Sequence, residues 1–179
     1  MRTLGSLPSY LAHASGGMRG YTPNEKVRLV SSYVNPDHKN MFQLTIEKAN
    51  HLELDAVNGN PNHEAHWMIC QKFNDFDNYH PKNPFVGEDG ELGALDPNDP
   101  DIRVRGPDSS RGQFAHMKSE FKLAHFNWKR SGHNDPEAFN SYIRVPDQLH
   151  LLYLWRLFQN DQDMLLVLSR SIPKESIVD

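Results

Sequence analysis

The chain has 179 residues, 37% of them hydrophobic and 10% aromatic, which gives room for one compact domain with a core and argues against a wholly disordered chain. Its single cysteine, Cys70, excludes an internal disulfide, and the apolar stretch 149–168 is broken by Arg156, Gln159, Asn160, Asp161, Gln162 and Asp163, so no membrane span is expected. The net charge of −4 hides a segregation: residues 51–100 sum to −8 and residues 101–133 to +4, so a basic segment sits inside an acidic protein and leaves nucleic acid open as a partner.

Residues 1–20 carry no apolar run of signal-peptide length and read as a flexible arm, loosest at Ser15-Gly16-Gly17. A nuclear or cytosolic protein, not a secreted one, is the expectation. The first helix starts at Thr22-Pro23-Asn24-Glu25, where Thr22 is an N-cap, Pro23 suits the first helical position and Glu25 completes a capping box. Val27, Val30 and Val34 line one face, and Asn35-Pro36-Asp37 ends it. A second helical stretch is predicted over residues 37–49, with Phe42 and Ile46 inward, followed by a short turn from Asn50 to Val57.

After the loop Asn58-Gly59-Asn60-Pro61, Asn62 caps a helix to about Asn74. Ile69, Phe73 and Phe76 fall on one side, with Trp67 beside them. Residues 77–108 form a long acidic loop rich in Pro, Gly, Asp and Asn, expected to be mobile or functional. Seven acidic residues against Lys82 alone between Asp77 and Asp101 suggest a regulator that folds over the basic segment.

The helix predicted over residues 110–130 is the most informative. Phe114, Met117, Phe121, Ala124 and Trp128 repeat at the spacing of one buried face. Arg111, Lys118, Lys122, His125 and Lys129 fall on a second stripe, one residue and about 100° away. One side anchored and the other bearing donors is how a DNA-recognition helix is built. Gly132 ends the helix. A short helix follows from Asn134-Asp135-Pro136-Glu137, with Phe139 and Ile143 inward. A buried helix capped by Asp147 runs to Phe158, drawing most of its burial from Leu149, Leu152, Trp155 and Phe158. A last helix, capped by Asp161, covers Met164 to Arg170 and ends at Pro173. No segment alternates as a strand.

Motifs for catalysis are missing. His63-Glu64-Ala65-His66 has its histidines three apart, not the four of a zincin helix, and Cys70 lacks partners at zinc-ligand spacing. There is no G-x-S-x-G, Walker loop or G-x-G-x-x-G, and Asp96, Asp99 and Asp101 lie in a solvated loop. The expectation is no enzyme, no metal and no cofactor.

Tyr21-Thr22-Pro23-Asn24-Glu25-Lys26, Trp67 before Lys72-Phe73-Asn74, and Phe121 and Trp128 together resemble the Myb/SANT-like domain over residues 21–132. Tyr21 stands where that family has Trp, and two long insertions separate the helices. The resemblance implies an all-α fold: a three-helix core with insertions and a C-terminal helical extension (residues 133–179) packed on it. It implies an aromatic core of Tyr21, Trp67 and Phe121 or Trp128, with helix 110–130 as recognition helix. The stretch from Trp128-Lys129-Arg130-Ser131-Gly132 through Phe139 also resembles multi-copy proteins of protists and algae with the same Myb-like beginning. A mobile-element association or a role in transcription is the expectation that comes with it. Double-stranded DNA is therefore the expected partner, contacted by Arg111, Lys118, Lys122, His125, Lys129 and Arg130, with Arg103 and Arg105 as an arm to the backbone or minor groove. The alternative is a helical protein-interaction or scaffold module, with a protein partner or a second copy of the chain, which the net acidic charge also suits.

Overall fold

The computed structural model describes residues 20–35, 61–88, 90–132, 135–145 and 147–169. Among these residues the fold is all-α, with five α-helices: α1 (Pro23–Tyr33), α2 (Pro61–Asn74), α3 (Pro107–Arg130), α4 (Leu149–Phe158) and α5 (Gln162–Ser169). Two 3-10 helices, Glu91–Ala94 and Pro136–Tyr142, lie between them. The arm 1–19, the helix expected over 37–49, the turn to Val57 and the stop at Pro173 lie outside the described residues. No helix among those described is long and apolar enough to cross a membrane.

The capping box forms as its residues dictate. The Glu25 amide donates to Thr22 Oγ1 at 3.2 Å and the Thr22 amide to Glu25 Oε2 at 2.7 Å, so two orphan donors of α1 are satisfied. Val27, Leu29, Val30 and Tyr33 are then fully buried. Helix α2 buries Ala65, Ile69 and Phe73 on one stripe. Trp67, two residues and about 200° round the helix from Ile69, faces solvent and is 45% exposed. The expected place of Trp67 in the aromatic core is thus corrected. Phe73 holds it instead, 6.4 Å from the half-buried Tyr21, and Phe76 stays at the margin of the surface.

The acidic segment, expected to be mobile or functional, carries its own small core. Phe85, Leu92, Leu95 and Ile102 are buried. Asn83 is buried with them, donating to the Leu92 and Leu95 carbonyls at 2.7 and 2.8 Å and accepting from the Phe85 amide. Gly93 permits this wrap, since a Cβ there would lie 3.0 Å from the Glu88 and Phe85 carbonyl oxygens. The segment is fastened to α1 by Arg28. All five guanidinium donors of this buried side chain are used: by the carbonyls of Phe73, Asp75, Tyr79 and Pro97, and by Asn98 Oδ1, at 2.7–3.2 Å. The rings of Phe73, Phe76 and Tyr79 lie 4.8–5.8 Å from the same guanidinium. Further ties run to α1 through Asn24–Asp99 and to α4 through Phe85–Tyr153 and Arg156–Glu88. These contacts fix the segment on α1 and α4, not over the basic side of α3 as the regulatory expectation required.

Helix α3 starts at Pro107, three residues earlier than expected, with Gly106 at the N-cap and proline at the first position. It ends at Arg130 with Ser131 at the C-cap, and Gly132 turns the chain at φ 74°. Ser110, Phe114, Met117, Phe121, Ala124 and Trp128 form its buried stripe. Phe114 stacks on Tyr33 at 3.7 Å, which locks α3 to α1. Helix α4 begins at Leu149, not at a cap on Asp147. Gln148 occupies the cap position without a side-chain cap bond, and donates instead to Glu120. Its buried set is Leu149, His150, Leu151, Tyr153, Leu154 and Trp155, while Leu152 and Phe158 are only partly buried.

Phe139 of the second 3-10 helix lies between Phe121, Trp128 and Trp155, stacked on Trp155 at 4.4 Å. Both indole N–H groups are satisfied by backbone: Trp128 by the Asp135 carbonyl and Trp155 by the Pro136 carbonyl. Asp161 caps α5 through the Met164 amide, and Met164, Leu165 and Leu168 close the core. One hydrophobic cluster joins α1 to α5, so the C-terminal helices share the core of the first three.

Candidate nucleic-acid interface

Helix α3 turns one side to the core and has two different flanks. One flank is neutralised. Glu120 accepts a 2.7 Å hydrogen bond from His150 Nε2, which is buried, and lies 3.5 Å from the exposed His116. Burial alone would raise the Glu120 carboxyl, but the bonds from His150 and Gln148 outweigh it and hold it below its ordinary value. Burial dominates for His150 and pushes it below the ordinary histidine value, so a neutral ring donates to an ionised Glu120.

The other flank bears Arg111, Lys118, Lys122 and Lys129, within about 40° of one another at 100° per residue. Arg111 and Lys129 are exposed, while Lys118 and Lys122 are half-buried where the flank meets the core. Arg130 is exposed on the far side of the solvent face. The carboxylates of α3 are Asp108, which pairs with Arg111 in the first turn at 3.5 Å, and the committed Glu120.

Two expected contacts are corrected. His125 has the right spacing for the basic stripe but is buried, because the stripe borders the core and α4 reaches over that edge. Its ring lies 5.6 Å from Trp128, 5.9 Å from Phe121 and 6.1 Å from Trp155, and burial lowers its pKa. Arg105 is not part of a free arm. Its guanidinium takes Glu25 through Nε and Nη2 at 2.8–3.2 Å, donates to the Gly20 carbonyl and stacks 4.2 Å from the centre of the Tyr21 ring. Burial opposes ionisation of Glu25, but the bonds from Arg105, the Thr22 amide and the Arg103 amide hold its pKa low. Arg103 itself is exposed. The structure therefore gathers Arg111, Lys118, Lys122, Lys129 and Arg130 on α3, leaves Arg103 apart from them, and removes His125 and Arg105.

The sequence reading passed over two residues here. Phe126 is 59% exposed and Leu123 is 63% exposed on the solvent face of α3. The signal was available, since both fall outside the spacing of the buried stripe. Among the described residues no group of three His, Cys, Asp or Glu side chains is arranged to hold a metal ion. The lone Cys70 is buried, donates to the Arg105 carbonyl at 3.2 Å, and is raised above the ordinary thiol value by that burial. Comparison with known protein families, curated proteins and solved structures finds no match.

Proposed function

We propose that the domain binds double-stranded DNA through the solvent face of α3, as a Myb/SANT-like module of a transcription regulator or mobile-element protein acting in the nucleus. The observation that carries the reading is the asymmetry of α3. Four cations share the flank of α3 that borders the core and Arg130 stands on its solvent face, while its two carboxylates are engaged, Asp108 by Arg111 and Glu120 by His150. Helices α1, α2 and α3 pack on one another around Tyr33, Phe73 and Phe114, which suits a tri-helical reader. No catalytic step and no cofactor enter this reading.

Arg103, Arg111, Lys118, Lys122, Lys129 and Arg130 would neutralise about three to six phosphates. The slope of log K against log salt is then roughly −2.7 to −5.4, at about 0.9 per phosphate. Titration of a labelled duplex with the folded chain at several salt concentrations measures it. Lys129→Ala with Arg130→Ala flattens the slope by up to about two units and leaves the circular dichroism unchanged. A folded sample that binds no duplex at low salt removes the reading. A protein-docking role is the second reading, favoured by the exposed Leu123, and would then take its place.

A further inference from the structure

We infer that Phe126 is a base-reading residue that seats thymine methyl groups in the major groove, an inference that rests on the DNA reading of α3. At 100° per residue, Ala115, Ser119 and Phe126 lie within about 40° of one another, on the line of α3 farthest from the core. All three are exposed. The first two are small and allow close approach of a base-pair edge. Phe126 is the large side chain on that line, and 59% of it is open to solvent.

Its neighbours decide what it suits. Lys122 stands one turn before it, about 40° to one side; Arg130 stands one turn after, about 40° to the other; Lys129 flanks it at about 60°. An apolar docking segment would have to bury the exposed Lys129 and Arg130 beside the ring without giving them anions. A duplex supplies both chemistries at once: phosphates on either side of the groove, and apolar base-edge groups on its floor. A helix about 10–12 Å across fits a major groove about 12 Å wide. On that floor the C5-methyl of thymine is the apolar group that a phenyl ring covers favourably.

Phe121 and Phe139 are ring-packed in the core, whereas Phe126 is exposed and, among the described residues, stacks on no other ring. Its truncation therefore leaves the fold intact and isolates the recognition. Leu123, on the far side of the same face and about 60° from Phe126, is the matched control.

The experiment uses the full chain and a pool of random 20-base-pair duplexes. Bound duplexes are selected at low salt, and the selected duplex is resynthesised with uracil replacing thymine, which removes only the methyl groups. The wild-type chain should bind the uracil duplex about fourfold more weakly for each methyl covered. Phe126→Ala should bind the two duplexes equally, and Leu123→Ala should discriminate like the wild type. Equal wild-type affinity for both duplexes overturns the inference and leaves the DNA reading standing, as does discrimination that survives in Phe126→Ala. Binding to no duplex at low salt overturns both.

Discussion

Replacing Arg28 by methionine keeps most of the side-chain volume and removes the guanidinium. Five acceptors then lose their donor: the carbonyls of Phe73, Asp75, Tyr79 and Pro97, and Asn98 Oδ1. A buried acceptor left unsatisfied costs about 1–3 kcal/mol, so the plain sum is about 5–15 kcal/mol. Two effects reduce it. The variant no longer desolvates a cation, which costs several kcal/mol per ion. Asp75 and Asn98 also sit in partly exposed positions, where their freed oxygens can turn to water. What remains is close to the loss for removing one member of a buried charge network, about 3–5 kcal/mol. Against a total stability of about 5–15 kcal/mol this is a large fraction. At about 2–4 °C per kcal/mol it lowers Tm by roughly 6–20 °C. Arg28→Lys has three donors on one nitrogen and cannot fork to five acceptors, so it recovers less than half. Urea unfolding followed by circular dichroism gives the free energies. Hydrogen exchange gives the location: Arg28 clamps both ends of the 75–102 segment, so its amides should lose protection before those of α3. A methionine variant within about 0.5 kcal/mol of wild type, with protection of 75–102 unchanged, would refute the clamp.

Stability should fall as pH drops from 7 to 5.5. Burial holds His125 and His150 below their ordinary value, so the unfolded chain binds more protons. Their contribution is complete above about pH 6.5 and lost below it. Glu25 and Glu120, held low against the opposing effect of burial, add a second loss that begins near pH 4.5. A Tm series against pH checks both signs, and a Tm that rises toward pH 5.5 contradicts them. Asn83→Asp aims a carboxylate at the Leu92 and Leu95 carbonyls in place of two donors, and should cost about 2–4 kcal/mol in urea unfolding at pH 7. An unmoved midpoint counts against the internal core of the acidic segment. Phe139→Ala empties the space between Phe121, Trp128 and Trp155 and should cost about 3–5 kcal/mol. It should also shift the tryptophan emission, and unchanged emission would mean that the ring cluster is not packed as described.

Local signals were legible in the sequence. Thr22-Pro23-Asn24-Glu25 places a helix start because each residue satisfies a local backbone need, and the box forms. The buried stripe of α3 follows from spacing alone. The failures are tertiary. Periodicity places His125 on the basic stripe, but only the crossing of α4 decides that this edge is covered. Trp67 looks like core by residue type, although its rotation from Ile69 argues otherwise. The acidic segment looks like a solvated loop because its apolar residues have no period. Its order comes from one arginine of α1 reaching backbone groups 45–69 residues away, which no local pattern encodes.

These failures share a cause that bears on function. A cation in the sequence is a candidate for phosphate only if the fold has not already used it, and use is decided by what lies within hydrogen-bond reach. Arg105 meets a carboxylate that the capping box holds in place, so its charge is cancelled before any ligand arrives. Arg28 meets backbone oxygens and is buried. What survives is weighted toward the end of α3, where Lys129 and Arg130 are exposed. A helix C-terminus carries partial negative charge that disfavours phosphate. Two adjacent cations more than offset about half a unit charge, so this end can approach a backbone. At the other end, Gly106 provides no side-chain cap for the first-turn amides, and Arg111 stands beside them in a 3.5 Å pair with Asp108 that is solvent-exposed and therefore weak enough to exchange for a phosphate. Arg111 and Lys129 are about 27 Å apart along the axis at 1.5 Å per residue. In the proposed complex α3 is therefore held to the backbone near both ends, and the selective contacts fall to the line of Ala115, Ser119 and Phe126 between them.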